Sequence, residues 1–130
     1  MATLVQFDAQ QPGKITMHHI LKEKQVPFSA EQMYRLVNDV AAYTQFIPYC
    51  TSSTVLSETK TMMKASLAFG IMGFEHAFTT KNDLIYGQSI NVNLLHGPFR
   101  HLSGLWQFIP LDATHTNIQV DFEFELQASF

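Results

Sequence analysis

Only one cysteine, Cys50, occurs in the 130 residues, so no disulfide can form within the chain, which suits a reducing compartment. Charge is scarce at 15% of residues, and the net value is −3, which argues against broad, non-specific binding to nucleic acid, where a basic surface is needed. No apolar run approaches the roughly 18 residues of a membrane span. The opening stretch MATLVQFDAQQPGK has neither the basic and apolar regions of a secretory signal nor the Arg-rich pattern of a mitochondrial presequence. Residues 1–13 are read as a flexible leader ending at Pro12-Gly13, and residues 14–130 as one domain. Gly-rich phosphate loops, paired catalytic carboxylates and Ser-His-Asp arrangements do not stand out, so an enzyme is not expected. The six histidines do not suggest a metal centre. His18 and His19 are neighbours on an expected strand and point to opposite faces, while His96 and His101 flank a turn without a supporting ligand.

Apolar bulk, by contrast, is plentiful: 46% hydrophobic residues, with 11 Phe and 6 Met. These side chains either fill a core or line an adaptable cavity for a hydrophobic ligand. The clearest helix is PFSAEQMYRLVNDVAAY. Ser29 and Gln32 have the spacing of a capping box, and Phe28 and Met33 that of a hydrophobic staple. Met33, Leu36, Val37 and Val40 recur at helical spacing and define a buried face. Asn38-Asp39 weakens the helix, a second short turn runs from Tyr43 to Phe46, and Pro48 ends it.

Elsewhere the period is two. Expected strands run over 15–26, 51–57, 63–69, 74–82, 89–94, 99–108 and 117–126, joined by tight turns in an antiparallel meander. The last is the cleanest: Ile118, Val120, Phe122, Phe124 and Leu126 face one way and Asn117, Gln119, Asp121, Glu123 and Glu125 the other. His76 falls on the apolar side of its strand with Phe78, either as a satisfied core histidine or as a hydrogen-bond donor to a ligand. Trp106 and Phe108 fall on the apolar side of theirs, either packing the core or offering flat surfaces to a ring. Phe99, at the Gly97-Pro98 turn, is expected to be exposed and to touch a membrane surface as lipid enters or leaves. Seven strands about 4.8 Å apart span about 33 Å, whereas the 17-residue helical region is about 25 Å long and bent. Part of the apolar face therefore needs another cover.

Three stretches, VPFSAEQMYRLVNDVAAYTQFIPYC (Val26–Cys50), HGPFRHLSGLWQF (His96–Phe108) and VDFEFEL (Val120–Leu126), resemble the coenzyme Q-binding protein and ribosome association toxin family, of the START-like, polyketide-cyclase-like superfamily. The resemblance implies an α+β, helix-grip fold, with a curved antiparallel sheet of about six to seven strands and short helices after the first strand. It also implies a long C-terminal helix, for which these 130 residues have no counterpart, so either the chain continues or another molecule closes the groove. The implied function is binding a polyisoprenoid quinone such as ubiquinone, in support of respiratory electron transport. Blocking the association of ribosomal subunits and a cyclase-like activity are the alternatives. Trp106, Phe108, His76, Phe78, Phe122, Phe124, Leu36 and Val40 are the candidate ligand-binding residues. No cofactor is expected beyond ubiquinone as a bound ligand. The implied partners are lipid, a transient membrane surface and a ribosomal subunit, and the expected location is the cytoplasm and the inner-membrane surface. The uncovered apolar face leads to the expectation that this form self-associates.

Overall fold

The computed structural model describes residues 2–7, 17–71 and 73–126. Eight antiparallel strands form one sheet in the order β1-β2-β8-β7-β6-β5-β4-β3. They are β1 (Ala2–Phe7), β2 (His18–Val26), β3 (Cys50–Glu58), β4 (Met62–Ile71), β5 (Phe74–Ile85), β6 (Ser89–His96), β7 (Phe99–Pro110) and β8 (Thr116–Leu126). Between β2 and β3 lie α1 (Ala30–Asn38), a 3-10 turn (Val40–Ala42) and α2 (Tyr43–Phe46). Strands β2 to β8 are the seven read from the alternation. The eighth is a correction: residues 2–7 of the expected leader pair with β2, from Ala2 opposite Glu23 to Phe7 opposite His18. An unpaired strand edge is a template for just such an addition. The rest of that leader lies outside the described residues.

The capping box is present, with the Ser29 hydroxyl accepting from the Gln32 amide at 3.1 Å and the Gln32 side chain accepting from the Ser29 N–H at 2.9 Å. The helix ends at Asn38, where Asn-Asp was expected to weaken it. Its buried face is rotated from the expected one. Tyr34 is the buried residue, packed edge-on against Phe108 at 5.8 Å and Tyr86 at 5.1 Å, whereas Leu36 is half exposed. Aromatic partners on the sheet, rather than aliphatic periodicity alone, set this rotation.

The core comprises Tyr34, Val40, Met63, Ala65, Leu84, Ile90 and Phe108. It lies where the helices cross the start of β4 and β6 and the end of β5 and β7. The sheet's inner face is thus covered at this end. Among the described residues no helix lies over the other end. The outer face of β8 is polar: Asp121 meets His19 at 2.5 Å, Glu123 meets His101 at 3.1 Å, and Glu23 on β2 accepts from Asn117 and Gln119. His18, next to His19, stacks on Phe124 of the inner face at 4.9 Å.

Candidate functional site

Beyond the helices the inner face forms an apolar groove of two adjoining cavities. The inner one, about 300 Å³, runs beneath Leu36, Val40 and Tyr43 of the helical region, with Thr80, Asn82 and Val92 on the sheet side. The outer one, about 760 Å³, is walled by Ile20 and Lys22 of β2, His76 of β5, Phe99 of β7, and Val120 and Phe124 of β8. Phe69, Phe78, Leu102, Trp106 and Phe122 border both. Volumes of this order suit small-molecule ligands.

The aromatic side chains wall the groove in two clusters. Phe78 stacks on Phe69 at 5.9 Å, and Phe99 meets Phe78 edge-on at 5.5 Å and Phe124 at 6.0 Å. Trp106 meets Phe122 edge-on at 6.4 Å. Two glycines permit this wall. A Cβ at Gly104 would lie only 2.4 Å from atoms of the Phe122 ring, which occupies the space beside Trp106. Gly97, with φ +152°, brings the β6–β7 turn against Phe78, where a Cβ would clash. Opposite the wall, the Tyr43 hydroxyl donates to the Val37 carbonyl, and burial pushes its pKa up to about 12, so it stays neutral.

Seven of the eight sequence-derived site residues border the groove. Phe78, Trp106 and Phe122 lie at the junction, His76 and Phe124 in the outer cavity, and Leu36 and Val40 in the inner one. Phe108 does not. It is 2% exposed and sits in the core under α1, though it shares a strand face with Trp106. Phe99 also departs from expectation, since it is folded into the groove rather than exposed. A bulge at Arg100, between the Phe99–Leu126 and His101–Glu125 pairs, resets the alternation and turns Phe99 inward with Leu102. Phe69 and Leu102 carried a readable signal, alternation with Met63, Ala65 and Leu67 in one case and with Trp106 in the other. Lys22 and Asn82 carried none, because polar residues on an inner face break the pattern used to find that face.

A curved antiparallel sheet with short helices over an apolar groove defines a START-like, helix-grip fold. A START superfamily protein from Mycobacterium smegmatis superposes with a TM-score of 0.75 at 24% identity, covering 86% of this chain and 79% of that one. The family model described as polyketide cyclase / dehydrase and lipid transport matches residues 26–130, and the chain belongs to that family. The ribosome association toxin RatA of Escherichia coli (strain K12) is 46% identical over 113 residues, covering 85% of this chain and 72% of that protein. Coenzyme Q-binding protein COQ10 homolog B, mitochondrial, of Xenopus laevis is 32% identical over 110 residues, covering 80% of this chain and 45% of that protein.

Proposed function

We propose that the groove binds a long apolar ligand with a flat ring, a polyisoprenoid quinone such as ubiquinone, and carries it without chemistry at protein side chains, in support of respiratory electron transport. The observation that carries this reading is the adjoining of the two cavities, which share Phe78, Trp106 and Phe122 in their walls. Stacking surface there suits a ring, and the outer cavity suits a flexible tail. Likeness to a protein named for coenzyme Q binding supports the choice of ligand. Phe74, 71% exposed and two residues before His76 on the same strand face, takes the membrane-touching role expected of Phe99. Loading would then take place at the surface of a membrane rather than within it. Organic extraction of the purified protein followed by mass spectrometry tests the reading. Co-purifying quinone in near-stoichiometric amount is expected, and protein that carries no apolar molecule and takes none up from quinone-loaded vesicles would overturn it.

A second reading, blocking the association of ribosomal subunits, is favoured by the 46% identity to a ribosome association toxin. Overproduction would then raise free subunits at the expense of joined ribosomes in a sucrose gradient. An unchanged profile at high expression would remove this reading.

A further inference from the structure

At the end of the sheet away from the helical core, two neighbouring features are ill suited to water. The first is the β4–β5 hairpin. Its turn sequence from Phe69 to Phe74 is FGIMGF, without a polar side chain, where hairpin turns are ordinarily polar. Phe74 is 71% exposed. The β5–β6 ladder begins at Thr79, so Phe74–Phe78 have no β6 partner, and the hairpin extends roughly 15 Å beyond that ladder. The second feature is Tyr49. It follows Pro48 in a turn that the Cys50 N–H closes on the Ile47 carbonyl at 3.2 Å. Its φ of 66° favours Gly or Asn at that place, and among the described residues no other non-glycine has a positive φ. Tyr49 is also 73% exposed, so packing does not offset the strain. Strain of this kind points to a use for the side chain outside the fold.

The Gly70 N–H donates to the Tyr49 carbonyl at 2.9 Å, and Gly70 pairs with Glu75, next to Phe74. Glu75, the one acidic or basic residue from Phe69 to Glu75, accepts from the Thr51 hydroxyl at 3.0 Å. With Phe46, 45% exposed and three residues before Tyr49, the aromatic surface left to solvent is roughly 400 Å². Stable pairing with a second copy or another protein takes about 800 Å² from each partner. The interfacial layer of a bilayer takes rings singly and needs no matching surface. The strand face of Phe74 leads through His76 to Phe78, both in the wall of the outer cavity.

We infer that the β4–β5 hairpin and the turn before β3 form a membrane-docking surface, in which Tyr49 and Phe74 enter the interfacial layer of a phospholipid bilayer and set the outer cavity against it. Its purpose, passage of an apolar ligand between lipid and groove, rests on the groove-binding reading above.

The test is flotation of the whole chain with phosphatidylcholine vesicles that contain no quinone. The wild type should float, and added salt should change little, because the contact is apolar. Y49N keeps a residue suited to the positive φ but removes the ring, and F74T keeps a strand former. Each should lower the partition coefficient about tenfold, as withdrawing one aromatic ring from an apolar layer does. The thermal midpoint of Y49N should match or exceed that of the wild type. L111S, which removes an exposed apolar side chain at the opposite end of the sheet, should float as the wild type does. A wild type that stays in solution, unchanged flotation of either Y49N or F74T, an equal loss in L111S, or a clearly lowered midpoint in Y49N overturns the inference. Quenching of Trp106 by a short-tailed benzoquinone without vesicles tests the groove separately, and should be equal in the wild type, Y49N and F74T. If the wild type binds quinone but does not float, only the inference fails. Flotation that depends on Tyr49 and Phe74, in a protein that binds no quinone, supports the docking surface and overturns the groove-binding reading.

Discussion

Adding one methyl group at Gly104 should weaken both the fold and the groove. Gly104 on β7 pairs with Phe122 on β8, and an alanine Cβ would come within 2.4 Å of the Cδ2, Cε2 and Cζ atoms of that ring. The ring has little room to yield, since Trp106 meets it edge-on at 6.4 Å, and its other way out is into the cavities it borders. Overpacking of this kind costs about 1–3 kcal/mol. Gly104 is not among the glycines with positive φ, so alanine also returns about 0.4–1 kcal/mol by restricting the unfolded chain. The net effect expected of G104A is a loss of about 1–2 kcal/mol, which for a domain of this size lowers the thermal midpoint by about 3–10 °C. Calorimetry gives the stability change. Titration with an apolar ligand gives the accompanying loss of affinity, because a displaced Phe122 fills the groove. A higher midpoint with unchanged affinity would show that the ring does not rest on Gly104, and the description of the wall would be wrong.

Three further outcomes follow from the packing and the charges. F108A should cost about 3–5 kcal/mol in denaturant unfolding yet leave ligand affinity unchanged in the fraction that folds, whereas W106A, at a partly exposed site, should cost less stability and weaken binding. S29A removes the acceptor of the capping box and should cost about 1 kcal/mol in urea unfolding with an unchanged m-value. On the acid side, the Asn117 amide, helped by Gln119, holds the Glu23 carboxyl below its ordinary value of 4.5. The stability this pair adds is therefore present above that value and lost as pH falls through the lowered one. E23Q should flatten that part of the urea-midpoint curve between about pH 6 and about pH 3.

How far the sequence foretold the molecule depended on the kind of signal. Alternation in β8 separated its inner and outer faces because a two-residue period leaves no ambiguity once one face is buried. The capping box was equally readable, being a contact between residues three apart. Alternation names a face, however, and not a place along it. Trp106 and Phe108 share a face of β7, yet only Phe108 lies under α1, because which strand end the helix crosses is decided by Tyr34 meeting Phe108 and Tyr86. The bulge at Arg100 erased the inward position of Phe99, since one extra residue reverses every reading beyond it. Residues 2–7 gave little sign of β1, whose pairing is supplied by the edge of β2. Asn82 stayed hidden because a polar residue on an inner face reads as an outward one until its strand partners, Met63 and Val92, are known.

The groove itself is tested most directly by titrating delipidated protein with a short-tailed benzoquinone while following the emission of Trp106, which borders both cavities. Saturable quenching at one quinone per chain is the predicted result, competed by an unquenching apolar ligand. Linear, non-saturable quenching that no apolar competitor reverses would contradict the account.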